Sequence, residues 1–333
     1  MFKSASLVAP SSLKEIVSPI LPRLDEVEAR LHGVAAESDG ILKESSAYVL
    51  SGGGKRLRAA LVLYSASIGH PTDEVYEQAI RVACAVELIH AATLVHDDII
   101  DHAVLRRLKP TVNIHFGSDV AVLLGDFLYA KAFEMIAGVG NSSVTERMAR
   151  TTRRMCEGEM DQLRHRFRAD LALEEYLSFI ERKTADLISA SAASGAELAG
   201  LPEPHVKALA DYGLSVGIAF QIVDDLLDIV GIERKMGKTL HTDMGNGKMT
   251  LPLILLRTVL VGQEKADFIE SLKSPNPDWK SAVELARRHR IQEKSEAFAN
   301  DYLTGAEAAV QVFSPAVRST LSAVSKFVVR RDY

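Results

Sequence analysis

Three carboxylates stand within one short apolar run, Thr93-Leu-Val-His-Asp-Asp-Ile-Ile-Asp101. On an α-helix Asp97 and Asp101 lie one turn apart on the same face, with Asp98 beside them. Burying carboxylates is costly unless a cation meets them, and a cluster pointing into a cavity most simply meets a divalent ion. Oxygen-only ligands with room for water suit Mg²⁺ better than a soft metal. Alone, such a cluster is as readily a solvated acidic face. A second copy changes that reading: Phe220-Gln-Ile-Val-Asp224-Asp225-Leu-Leu-Asp228 repeats both the spacing and the apolar setting. Two clusters facing each other across one cavity would hold several metal ions and grip a polyphosphate between them.

Cations gather near the same motifs. Gly52-Gly53-Gly54 breaks the helical pattern, and Lys55-Arg56-Leu57-Arg58 then opens the apolar run from Ala59 to Ile68. Positive charge at a helix start is mildly destabilising, by about 0.3 to 1 kcal/mol each when exposed. An anionic ligand reverses that penalty. Arg106-Arg107-Leu108-Lys109 places three cations just past the first acidic motif, with Pro110 as a stop signal. His90 precedes Asp97 by seven residues, nearly two turns, and so shares its face. Without the neighbouring motifs, a core histidine with a backbone partner would be the plainer reading of His90.

The elements that must position these residues read as helices. Apolar residues recur at helical intervals from Ser12 to His32, where Pro19 and Pro22 kink or divide the run. A long helix is expected over Asp73 to Val104. Others follow at Val120 to Ile136, Val144 to Arg168, Leu173 to Ala199, Glu203 to Ile229, Thr250 to Val261, Trp279 to Arg288, Gln292 to Thr304 and Pro315 to Val329. No segment alternates as a strand should. The one long polar stretch, Gly231 to Lys248, carries Lys235, Lys238, Asp243 and Lys248, and a loop of that length is more often functional than idle.

With 333 residues and 47% hydrophobic content the chain can bury a sizeable core, and no linker-like shift divides it, so one domain over 1–333 is expected. The net charge is −5, and the basic residues gather at particular sites rather than as a continuous stripe, so no nucleic-acid footprint is indicated. Cys84 and Cys156 make neither a disulfide framework nor a zinc site, which fits a reducing cytoplasm. No secretory pattern opens the chain, and no run of about 18 uncharged apolar residues offers a membrane span.

In order and spacing, Gly53-Gly-Lys-Arg-Leu-Arg58, Glu87-Leu-Ile-His90, His96-Asp-Asp-Ile-Ile-Asp101, Arg106-Arg107, Gly125-Asp126, Lys183-Thr184, Phe220 to Asp228, Gly237-Lys238 and Thr242-Asp243 resemble the motifs of all-trans polyprenyl diphosphate synthases. The resemblance covers the whole chain. It implies a single all-α bundle around a deep central cavity, a homodimer, and two acidic motifs facing each other across three Mg²⁺ ions, with Mn²⁺ as a substitute. Asp97, Asp98, Asp101, Asp224, Asp225 and Asp228 would then be metal-side residues. Arg106, Lys183, Thr184, Gln221 and Lys238 would contact an allylic diphosphate, Lys183, Lys238 and Arg106 stabilising it as it leaves. Lys55, Arg58, His90 and Arg107 resemble the pocket for isopentenyl diphosphate. Three positions depart from the pattern: Ala59 stands where Pro is usual, and Leu108 and His241 stand where Gly is common.

Short-chain members of that family carry bulky aromatic residues four or five positions before the first Asp. Here those positions are Thr93 and Ala92, and the first aromatic residue before them is Tyr76, about 31 Å from Asp97 at 1.5 Å per residue. A long product is expected, for a quinone side chain, with Tyr76, Phe127 or Phe133 as candidate floors and membrane-surface contact at product release. For any one of these aromatics, ordinary core packing is the plainer reading. A geranylgeranyl diphosphate synthase is the alternative within the family. A class I terpene cyclase fits less well, because Asp224 to Asp228 lacks the Asn/Asp-x-x-Ser/Thr-x-x-x-Glu pattern of its second metal motif. A non-catalytic subunit is disfavoured by two intact acidic motifs.

Overall fold

The computed structural model describes residues 13–52, 54–231, 242–274 and 277–329. The chain runs through α1 (Leu21–Ala36), α2 (Gly40–Leu50), α3 (Leu57–Ser67) and α4 (Asp73–Ile100). A short antiparallel ladder, β1 (Leu105–Arg106) against β2 (Lys109–Pro110), leads to α5 (Ser118–Ala137) and α6 (Ser142–Arg164). Next come α7 (Leu173–Ile180), a five-residue π turn (Glu181–Ala185) and α8 (Asp186–Leu198), joined without leaving helical dihedrals, and then α9 (Glu203–Val230). The remainder is α10 (Leu251–Val259), α11 (Gly262–Leu272), α12 (Trp279–Arg288), α13 (Ile291–Ala309) and α14 (Pro315–Val329).

At the start of α4, the Thr72 hydroxyl accepts the Val75 N–H at 3.4 Å, and Asp73 and Glu74 place negative charge in the first turn. Along its length α4 is apolar on most sides, as a helix enclosed by others must be. It is surrounded by α1, α3, α5 and α8. By length and composition α4 could span a bilayer, but its apolar window is mostly buried inside the bundle. The other acidic helix, α9, packs on α8 and α13. It also joins two cores: Tyr212 and Val216 belong to one with α1 to α5, and Ile222 and Val223 to another with α7 and α10 to α13. Because α8 touches α3, α4 and α9, it spaces the two acidic helices.

The structure departs from the sequence reading at several boundaries. α4 stops at Ile100 rather than Val104 because His102 takes a left-handed conformation (φ 52°). Ala103 N–H then reaches Asp98 C=O at 2.9 Å and His102 N–H reaches Ile99 C=O at 3.2 Å, a Schellman closure usually built on glycine. The predicted Leu173 to Ala199 helix contains the π turn. α2 and α11 were not foreseen, being short helices of eleven residues that begin at glycine and mix polar with apolar positions. The ladder contradicts the expectation of no strand. Its two central residues, Arg107 (φ 53°) and Leu108 (φ 62°), are both left-handed, the geometry of a tight hairpin turn that favours Asn-Gly.

Candidate active site

In this structure each carboxylate at the end of α4 already faces a cation. Asp98 is nearly fully buried and held in a fork by Arg106, with Nε at 2.9 Å from both oxygens and Nη2 at 2.7 Å from Oδ1. Asp101 receives Arg166 Nη2 at 2.6 Å on one oxygen and Lys248 Nζ at 2.6 Å on the other. Asp97 lies 3.8 Å from Lys183 Nζ. Burial pushes the Asp97 and Asp98 carboxyls above the usual range, and the facing cations only partly offset it. On the opposite side of α4, His96 Nε2 lies 3.1 Å from the Val122 carbonyl. A Cβ at Gly125 would fall 2.0 Å from that nitrogen, so only glycine admits this approach of α5.

On α9, Asp225 accepts the Tyr176 hydroxyl on Oδ2 and the Gln221 side-chain amide on Oδ1, both at 2.7 Å. Gln221 in turn accepts the Thr184 hydroxyl at 2.8 Å. Asp228, fully buried, accepts the Asp243 backbone N–H at 3.2 Å. Asp224 is the most accessible of the three, at intermediate exposure.

Two connections bring the acidic motifs to one place. The adjacent residues Lys183 and Thr184, both on the π turn, reach Asp97 on α4 and Gln221 on α9 respectively. Lys248 meets Asp101 and lies 3.9 Å from Asp243, whose N–H meets Asp228. Arg106 feels Asp98, Asp97 and Asp224 strongly enough to raise its pKa against the opposing effect of burial.

A second cationic group lies beside the first. Burial, reinforced by Arg58, Arg106, Arg107 and Arg56, holds His90 well below its ordinary pKa, so it is neutral. All four arginines thus act on one imidazole. Burial also lowers the Arg58 pKa, only partly countered by Glu87, and Arg58 Nε is buried with no hydrogen-bond acceptor among the described residues. Such a guanidinium is suited to an incoming anion. Arg107 donates to the Gly52 carbonyl at 2.9 Å, and Lys55 Nζ stands 5.3 Å from the Phe327 ring centre. Arg56 has a structural role: it bonds Glu28 at 2.7 and 2.9 Å and Glu87 at 3.3 Å. Glu87 also accepts the Ala59 N–H at 3.1 Å, supplying negative charge to the start of α3. A proline at 59 has no N–H to give, so Ala59 makes a bond that the usual residue cannot.

The six carboxylates, with no sulfur donor among them, are a donor set of the kind that a hard cation such as Mg²⁺ takes. Among the described residues no three acidic or imidazole groups converge tightly enough to cage an ion alone. That suits an ion which takes one or two carboxylates and completes its shell with phosphate oxygens and water. Lys238 and His241 lie outside the described residues. Ala92 is fully buried while Thr93 keeps accessible surface, with its hydroxyl on the His90 carbonyl at 2.7 Å. Phe127 and Phe133 are partly buried against the core of α4, and Tyr76 stacks beneath the Arg23 guanidinium at 4.9 Å. Sequence reasoning missed Glu159, Arg166 and Tyr176. Arg166 sits in a basic cluster from Arg164 to Arg168, a local signal that contrasts with the acidic helices; Glu159 and Tyr176 carry no local signal.

The comparisons agree with this geometry. The sequence model described as polyprenyl synthetase matches residues 39–286. Heptaprenyl diphosphate synthase component 2 of Geobacillus stearothermophilus is 35% identical over 325 residues, covering 96% of this chain and 99% of that one. Geranylgeranyl diphosphate synthase of Saccharolobus solfataricus is 36% identical over 281 residues, covering 81% and 83%. Among solved structures, polyprenyl synthase from Caulobacter crescentus, complexed with calcium and isoprenyl diphosphate, superposes with a TM-score of 0.89 at 33% identity, over 97% of this chain and 98% of that one. Two acidic helices joined through one π turn, on a fold shared along nearly the whole chain, make this protein a prenyltransferase of the all-trans polyprenyl diphosphate synthase family.

Proposed function

We propose that this single-domain enzyme adds isopentenyl diphosphate units to a farnesyl or geranylgeranyl diphosphate primer and releases a long all-trans polyprenyl diphosphate for a quinone side chain, in the cytoplasm. The observation that carries the reaction is the reach of Lys183 and Thr184 from one turn to both acidic helices. Asp97, Asp98, Asp101, Asp224, Asp225 and Asp228 would hold Mg²⁺ together with the allylic diphosphate. Bound Mg²⁺ neutralises that diphosphate and steadies the charge it gains on leaving. Arg106 and Lys183 add positive charge at the same oxygens, a contribution of several kcal/mol in a site shielded from water. Thr184 and Gln221, already bonded to each other, present a hydroxyl and an amide to the diphosphate. Lys55, Arg58, His90 and Arg107 hold the second diphosphate, so the isopentenyl double bond faces the allylic carbon. The chain supplies no nucleophile, and the proton lost after condensation leaves to the released diphosphate.

Length is read from the stretch of α4 between Tyr76 and Asp97 that carries no Phe, Trp or Tyr: a run of about 31 Å beside it favours a long product, about C35 to C50. Incubation with isopentenyl and farnesyl diphosphates and Mg²⁺, followed by mass analysis of the dephosphorylated alcohols, tests both parts. No elongation sinks the reaction assignment; products stopping at C20 favour the geranylgeranyl alternative. We further propose a homodimer, because Val122 and Leu123 on α5 and Met160 on α6 are exposed apolar side chains. The name of the Geobacillus relative, component 2, makes a heteromer the competing assembly, and native mass of the active species decides between them.

A further inference from the structure

The contact between α6 and the π turn is more specialised than packing requires. A Cβ on Gly158 would meet Arg182 Cβ at 2.9 Å and Lys183 N at 3.1 Å, so glycine at 158 lets the two backbones approach. Around it the pairing is dense. Arg182 Nη1 meets Asp161 at 2.7 Å, Arg154 pairs with Asp186 and Glu181, and Lys183 Nζ donates to Gln162 Oε1 at 3.3 Å. The residue after Gly158 is Glu159, and its carboxylate forms an ion pair with Lys183. Both Glu159 oxygens are out of water, and apart from the Lys183 ammonium no hydrogen-bond donor meets them among the described residues. Among the described residues the Lys183 ammonium is therefore the cation that pairs with this carboxylate, and it is shared with Asp97 at 3.8 Å.

We infer that Glu159 is a positioning residue which draws Lys183 off Asp97 and so leaves Asp97 free for the metal. This rests on the proposed metal role of Asp97. An ammonium flanked by two carboxylates divides between them, and removing one sends it wholly to the other. Without the charge of Glu159, Lys183 closes on Asp97 and competes with the ion for its oxygens. A binding cost at one site caused by a change at another is a coupling of the two, and couplings of this kind are commonly fivefold or more.

The test is a double-mutant cycle read by Mn²⁺ binding to the purified enzyme, with free Mn²⁺ counted by electron paramagnetic resonance. Glu159→Gln, which keeps the shape and removes the charge, is expected to weaken Mn²⁺ binding about fivefold or more. Glu159→Asp should restore much of it. In a Lys183→Met background the same Glu159→Gln change should have no such effect, because no ammonium remains to compete. Lys183→Met/Glu159→Gln, a neutral pair of similar volume, should bind Mn²⁺ at least as tightly as the unaltered enzyme, which keeps the inference testable if Glu159→Gln alone fails to fold. Equal weakening in both backgrounds, or unchanged Mn²⁺ affinity in folded Glu159→Gln, overturns the inference. An unaltered enzyme that binds Mn²⁺ but makes no prenyl product sinks the proposed function instead and leaves this cycle standing.

Discussion

Tyr176 donates its hydroxyl to Asp225 at 2.7 Å from beneath α9, in a setting that excludes water. Burial, with Asp243 close by, pushes the Asp225 carboxyl up to about 8. The folded protein therefore keeps a proton there that the unfolded chain loses near the ordinary carboxylate range. The sign follows: this group contributes stability that is fully present at low pH and is lost as pH rises towards about 8. Chemical unfolding in EDTA should show the unaltered protein losing stability between pH 5 and pH 8 relative to Asp225→Asn, by about 1 to 3 kcal/mol. Parallel pH profiles for the two proteins would contradict it.

Asp97→Ala and Asp224→Ala should abolish turnover with little loss of melting temperature. Removing one carboxylate from a like-charged group relieves repulsion in the metal-free protein. A variant that kept more than about a tenth of the rate, a barrier change under about 1.4 kcal/mol, would remove that residue from the metal site.

Lys55→Ala and Arg58→Ala should raise the Michaelis constant for isopentenyl diphosphate more than that for the allylic primer. Arg58, Arg106 and Arg107 all act on neutral His90. Steady-state kinetics with each substrate varied in turn would expose an exchange of the two pockets as the opposite pattern.

Leu108→Gly should stabilise the fold. A left-handed leucine costs about 1 to 2 kcal/mol, and glycine gives back about 0.5 to 1 through the freer unfolded chain, so the net gain is about 0.5 to 1 kcal/mol. Leu108 is 74% exposed, so little burial is forfeited. A lower denaturation midpoint would mean that the leucine has a partner in the working assembly.

Thr93→Phe should shorten the product, because Thr93 keeps accessible surface and lies one turn from Asp97. Ala92→Phe, entering a position with no free surface, should first lower stability by about 1 to 3 kcal/mol. Product analysis beside melting curves separates the two. Full-length product from a well-folded Thr93→Phe at an undiminished rate would show that the hydrocarbon runs elsewhere.

What could be read from the chain was whatever repeats or clusters locally. The two aspartate runs announced themselves by duplication, and the arginines and His90 by their spacing from them. Long helices such as α9 and α14 carry an unbroken apolar period, so their limits were close. Glu159 and Tyr176 were invisible because their meaning lies in contacts across the fold, to Lys183 and Asp225, which no local pattern encodes. The end of α4 was misplaced because a histidine does what glycine usually does. The π turn was missed for a related reason: its residues have no composition that distinguishes them from the helices on either side.

That turn also sets the phase of the helical rod. A π turn inserts one residue into an α-helix, so side chains beyond it are rotated by about 100° from where an unbroken helix would carry them. α7 therefore faces the core shared with α10 to α13, while α8 presents a different azimuth to α3 and α4. Lys183 and Thr184 sit at the change of phase, where neighbouring residues point in directions a regular helix does not pair. The reach of Lys183 to one acidic helix and of Thr184 to the other is in this sense a matter of winding rather than of the length of any loop.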